Sequence, residues 1–174
     1  MNSSYKNEIT YGELINGITY TLNPKLIVEF GILDGYSLKH FINGSSNETI
    51  IKAYDIFEDF NGNHANKDKL IEIFKEHENV SIEYGDFYKL HDTLKEIDIL
   101  HIDIANNGDV YEFAINNYLP KLSKNGVIIL EGGSEERDNV EWMIKYNKPK
   151  IQPIVKKYNM KVIGTFPSIT LFKN

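Results

Sequence analysis

The sequence predicts an α/β fold built on a doubly wound, largely parallel sheet, and three observations predict it. Five short apolar runs rich in β-branched residues alternate with stretches of helical periodicity. The first three runs end on an acid, the first of them followed by glycines. A last pair of runs is joined too tightly for a parallel crossover, which needs a dozen or more residues, so the chain should close on an antiparallel hairpin. No repeat, low-complexity tract or linker divides the 174 residues, a length suited to one domain.

Residues 1–24 are expected to form a helical segment beside the substrate, and residues 25–174 the main domain. Leu26 to Phe30 (LIVEF) is the first strand, Thr49 to Asp55 the second and Asn79 to Asp86 the third. Asp98 to Asp103 and Gly126 to Gly133 complete the five. Runs this continuously apolar suit strands buried on both faces. A helix begins near Tyr36. Lys69 to Glu78 places Leu70, Ile73, Phe74 and His77 on one stripe, and Asp109 to Leu122 places Val110, Ala114, Tyr118 and Leu122 on another. Pro120 should kink or end the latter. Lys161 to Thr165 and Ile169 to Lys173 form the hairpin around Phe166-Pro167-Ser168.

Composition excludes several classes. Charged residues make up 25% and hydrophobic ones 41%, an ordinary globular balance, and the net charge of -6 shows no clustered Lys or Arg stripe for nucleic acid. There is no cysteine, hence no disulfide, thiolate metal site or Cys nucleophile. No signal peptide is expected at MNSSYKNEITYGELINGITY, and no stretch approaches the ~18 apolar residues that span a bilayer. A cytoplasmic protein is expected.

The residues with chemical potential sit at strand ends, where α/β sheets collect ligands. In Val28-Glu29-Phe30-Gly31-Ile32-Leu33-Asp34-Gly35-Tyr36-Ser37, Glu29 would accept from a ligand ammonium and Gly31 would let the ligand approach the backbone. Without a ligand the same residues are a plain strand-to-helix turn. Asp55 follows Gly35 by 20 residues, the spacing of a carboxylate that accepts from both hydroxyls of a ribose; an N-cap is the other reading. Gly85-Asp86 places a carboxylate where an adenine amino group would donate.

VEFGILDGYSL, YDIF, YGDF and LHIDIANNGDVYEFAINNYLPKLSKNGVIILEGG together resemble the motif series of class I methyltransferases that use S-adenosylmethionine (SAM). More narrowly, they are similar to the small-molecule O-methyltransferase-like group that includes macrocin O-methyltransferase. The resemblance covers roughly Leu26 to the C-terminus, and KVIGTFPSITLF suits it too. It implies a Rossmann-like sheet of five parallel strands plus the hairpin. Glu29 and Gly31 would hold the methionine part, Asp55 the ribose, and Asp86 with Phe87 the adenine; Gly35, Ser37, Ile56 and Asp103 would complete the contacts. The resemblance also implies a divalent cation, Mg2+, on Asp103 and Glu131 with an Asn beside them. Against it, Gly132 stands where a second acid is common, and Ala105-Asn106-Asn107 replace polar-acidic or His residues. Without metal, Asp103, Glu131 or His101 is the candidate base, although His101 also reads as a structural strand histidine.

The expected activity is methyl transfer to a small polar acceptor at oxygen, a sugar or natural-product fragment, with a homodimer completing the pocket. Arg137, the lone arginine, would hold an acceptor anion or pair with Asp138 or Glu141. Two other readings stay open. One is a scaffold that binds SAM without catalysis. The other is a nicotinamide-dependent oxidoreductase, which would want G-x-G-x-x-G for its pyrophosphate where this chain has Gly31-x-x-x-Gly35.

Overall fold

The computed structural model describes residues 9–173, and their strands form one seven-stranded sheet in the order β3-β2-β1-β4-β5-β7-β6. The strands are β1 Leu26–Phe30, β2 Ile50–Asp55, β3 Val80–Tyr84, β4 Ile97–Ile102, β5 Leu122–Glu131, β6 Lys161–Ile163 and β7 Ile169–Lys173. β1 to β5 are mutually parallel, and β7 runs against both β5 and β6. The expected parallel set and closing hairpin are thus both present. The hairpin inserts β7 between β5 and β6, and its turn contains a cis Phe166–Pro167 peptide bond.

Seven helices connect the strands: α1 Tyr11–Leu22, α2 Tyr36–Gly44, α3 Lys67–Phe74, α4 Phe87–Leu90, α5 Gly108–Phe113, α6 Glu141–Lys145 and α7 Gln152–Lys157. α1 accounts for the helix expected within residues 1–24; residues 1–8 lie outside the described part. A reciprocal cap starts α1: Thr10 accepts from Glu13 N while the Glu13 carboxylate accepts from Thr10 N at 2.8 Å.

Strand alternation sends Ile27, Ile99 and Ile129 to one face, where Ile15 of α1, Leu38 and Phe41 of α2 and Leu70 and Phe74 of α3 cover them. Val28, Leu100, Ile128 and Leu130 point to the other face, under Tyr111, Tyr118, Ile151 and Val155. Covering both faces is what makes these strands continuous apolar runs.

Three expectations need correction. α3 ends at Phe74, so His77 lies beyond it, and Ile73 is 52% exposed while Leu70 and Phe74 carry the packing. The helix through Pro120 does not simply kink: α5 widens into a π-type stretch over Ala114–Tyr118 and narrows to a tight turn at Leu119–Lys121. Proline has no N–H for the helical ladder, and this local change of winding absorbs the loss. β5 starts at Leu122 rather than Gly126, with Leu122 paired to Ile97 ahead of a register shift.

Candidate functional site at the strand tips

Strand register alone assembles the site. Glu29 lies opposite Ala53 on β2 and His101 on β4, and His101 lies opposite Ile129 on β5. Two residues further along each strand, the same face carries Asp55, Gly31, Asp103 and Glu131 in one row. The ladder extends past the strands to hold that row: Gly31 N donates to Tyr54 O and Asp103 N to Phe30 O, both at 2.9 Å. Between β1 and β4 the strand order reverses, the place where open α/β sheets bind ligands.

The turn after β1 needs its glycines. Gly31 and Gly35 have φ of 89° and 80°, which side chains disfavour. A Cβ on Gly31 would collide with the Asp103 carbonyl oxygen, so this glycine also lets the tips of β1 and β4 meet.

Beneath the row lies a buried polar group. Glu29 is 0% exposed; its Oε1 accepts from Ser37 Oγ and from His101 Nδ1 at 3.0 Å. A carboxylate only accepts, which places the proton on Nδ1. Burial alone would lower the pKa of His101, but the hydrogen bond and charge of Glu29, aided by Asp103 and Glu131, raise it. His101 also packs edge-on to Phe41 at 5.3 Å. With Oε1 so engaged, Glu29 is turned to the interior rather than to the surface in this structure. Its Oε2 is buried without a partner among the described residues.

Asp55 is 5% exposed and its carboxylate is held by the protein. Oδ2 accepts from Ile32 N at 2.8 Å; Oδ1 accepts from Phe57 N at 2.8 Å and Asn63 Nδ2 at 2.6 Å. It pins the β1 turn to the loop after β2. Asn63 is a contact that residue patterning does not foretell, because it depends on the path of that loop. Ile56, beside it, is half-buried.

Asp86 caps α4 by accepting from Tyr88 N at 2.9 Å and pairs with Lys89 at 3.1 Å. Phe87, expected against adenine, is instead 3% exposed and stacked on Tyr118 at 5.0 Å, inside an aromatic group with Phe30.

Asp103 differs from these acids. It is exposed at the β4 tip, and its carboxylate has no hydrogen-bond or ion-pair partner among the described residues. Surrounding protein nevertheless desolvates it and raises its pKa to about 6, with His101 and Arg137 lowering it and Glu131 and Glu29 raising it.

The β5 tip corrects the metal expectation. Arg137 Nε donates to Glu131 Oε1 at 2.6 Å and Nη2 to Oε2 at 2.9 Å, so both oxygens are taken by one guanidinium. The partner of Arg137 is thus Glu131, while Asp138 accepts from Ile151 N and Gln152 N. Asn106 spends its amide on Ile102 O and Glu131 O, and Asn107 caps Asp109 N. Of the two acids expected to share a cation, only Asp103 keeps its carboxylate unengaged among the described residues. Among the described residues no group of three His, Cys, Asp or Glu is placed to hold a metal ion. Ser134 Oγ accepts from Arg137 N at 3.1 Å, ahead of a single turn over Arg137–Asn139.

A recess of about 270 Å³ lies beside the β1 turn, lined by Leu33, Asp34, His64, Asn66, Leu70 and Ile73. A larger apolar groove of about 820 Å³ runs between α1 and the β7 side, where Val127 and Lys173 mark the opposite edge of the sheet.

No protein-family model and no curated protein sequence matches the chain. Solved structures do. An O-methyltransferase from Bacillus cereus in complex with SAH (S-adenosylhomocysteine) superposes with a TM-score of 0.69 at 17% identity, over 99% of this chain and 84% of that one. A putative O-methyltransferase from Klebsiella pneumoniae gives 0.71 at 11% identity, over 97% and 81%. The fold is that of the class I methyltransferases. The O-methyltransferase TomG from Streptomyces achromogenes, in complex with SAM, shares it with a TM-score of 0.67 at 14% identity, over 94% of this chain and 80% of that one. Among the described residues no helix is long and apolar enough to cross a membrane.

Proposed function

We propose that the chain is a SAM-dependent methyltransferase acting at oxygen on a small polar acceptor. The observation that carries this reading is the row Asp55–Gly31–Asp103 at the reversal of strand order, with the Asp103 carboxylate exposed and unpartnered. Solved structures of the same fold, named as O-methyltransferases and including SAM and SAH complexes, support it.

The residues fit such a cofactor. The tip of β1 and β4 offers a free carboxylate at Asp103 above the unpartnered Oε2 of Glu29, an electronegative place suited to a cation and poor for a pyrophosphate. Asp103 accepts from the ammonium, and Gly31 leaves the backbone open beneath it. Gly35 and Ser37 shape the turn, with Glu29 holding Ser37 from below. Asp55 takes the ribose hydroxyls when Asn63 yields its place on Oδ1. Ile56 and Asp86 bracket the adenine, with Phe87 behind as a rigid support. When bound, SAM supplies a methyl group on a positively charged sulfur.

The acceptor lies toward the β4 and β5 tips. There the second oxygen of Asp103, the one not engaged by the ammonium, is placed to take the proton of the acceptor hydroxyl. Methyl transfer depends largely on alignment, so His101 and Glu131 position rather than react. A homodimer that completes the acceptor pocket and a cytoplasmic location belong to the same reading.

A thermal-shift panel of SAM, SAH and NAD tests the proposal. SAM and SAH should raise the melting temperature and NAD should leave it unchanged; a shift with NAD alone would make the chain a dinucleotide enzyme.

A further inference from the structure

Asp103 and Glu131 end neighbouring strands, about 4.8 Å apart across the sheet. Two carboxylates so placed repel unless a cation stands beside them. Here the cation belongs to the chain. Gly132 and Gly133, with φ of 96° and 107°, reverse the backbone after β5, and Ser134 caps the turn that follows. This brings Arg137 back over the strand it has just left. Its guanidinium grips both Glu131 oxygens, donates to Asn106 O at 3.1 Å on the β4 side, and lies 5.0 Å from the Trp142 ring. Arg137 is 5% exposed, and its Nη1 is buried without a partner among the described residues.

The geometry points to Arg137 as a built-in cation that fills the place a divalent ion would take between the β4 and β5 carboxylates, making this site independent of metal. The inference deepens the methyltransferase reading and rests on it only for the reaction served. A tethered charge is always present and needs no ion from solution, and it leaves Asp103 as the free carboxylate at the acceptor side.

Calorimetric titration of the full chain with MnCl2 tests this. Wild type should take up no Mn2+. Arg137→Met frees Glu131 beside Asp103 and should gain saturable Mn2+ binding where wild type shows none; adding Glu131→Gln should abolish the gain. If Arg137→Met does not fold, Arg137→Gln, which keeps a polar side chain over Trp142, should show the same gain. Mn2+ uptake by wild type that Glu131→Gln removes, or a folded Arg137 variant with no gain, would overturn the inference. SAH titrated into wild type gives the separate answer for the cofactor: its failure to bind would remove the methyltransferase reading and leave the Mn2+ result standing.

Discussion

The tips of β1 and β2 and the tips of β4 and β5 carry the same residue type, carboxylates, in two different states: buried on the first side, exposed or half-buried on the second. On the first side Glu29 and Asp55 are built into the protein: Glu29 holds Ser37 and His101, and Asp55 ties two loops together through backbone N–H groups and Asn63. On the second side Asp103 stands free and Glu131 is bound to an arginine. Acids that organise a turn fix where a ligand lies; an acid without a partner is available to meet it. The difference assigns scaffolding to one half of the row and chemistry to the other.

Substitutions can break that division. The largest effect on stability is expected from Glu29→Ala. It strips a fully buried histidine of its partner, a loss of about 3 kcal/mol, or a fall in melting temperature of roughly 6–12 °C by calorimetry. An unchanged melting temperature would show that the buried group is not structural. Asp55→Ala should cost less, about 2 kcal/mol for the orphaned N–H groups, and should abolish the SAH-induced thermal shift; full SAH affinity in this variant would count against the ribose assignment.

Asp103→Asn sharpens the contrast. With no partner lost among the described residues and an ill-tolerated charge removed, its melting temperature near pH 7 should hold or rise, while SAH affinity falls roughly 10–100-fold, as expected for losing a charged hydrogen bond. A loss of stability without a loss of affinity would place Asp103 with the scaffold. Asn63→Ala is the mildest probe. It removes one hydrogen bond, about 1 kcal/mol, and because Asn63 occupies the oxygen proposed for ribose, SAH affinity should hold or rise. A marked fall would show that Asn63 itself binds the ligand.

Much of the scaffold was legible because strands buried on both faces write themselves as apolar runs; β1 and β7 lie at the residues where those runs begin and end. Asp55 and Asp103 were legible as strand-end acids for the same reason. Their states were not. Asn63 reaches Asp55 through the path of an irregular loop, which periodicity does not describe. Arg137 had nearer acids in Asp138 and Glu141, and only the reversal at Gly132-Gly133 carries it to Glu131. The signals available were a lone arginine six residues past a strand-end acid and two glycines between them. The core packing of Phe87 was not legible, because an aromatic after a strand reads alike whether it lines a pocket or fills the core.

The central claim is that an adenosyl ligand lies across the Asp55–Gly31–Asp103 row, and backbone amide shifts on titration with SAH test it most directly. The account expects saturable shifts concentrated at Gly31 to Ser37, at Ile56 and at Asp103, with the apolar groove between α1 and β7 undisturbed. Shifts confined to that groove, or none at saturating SAH, would contradict it.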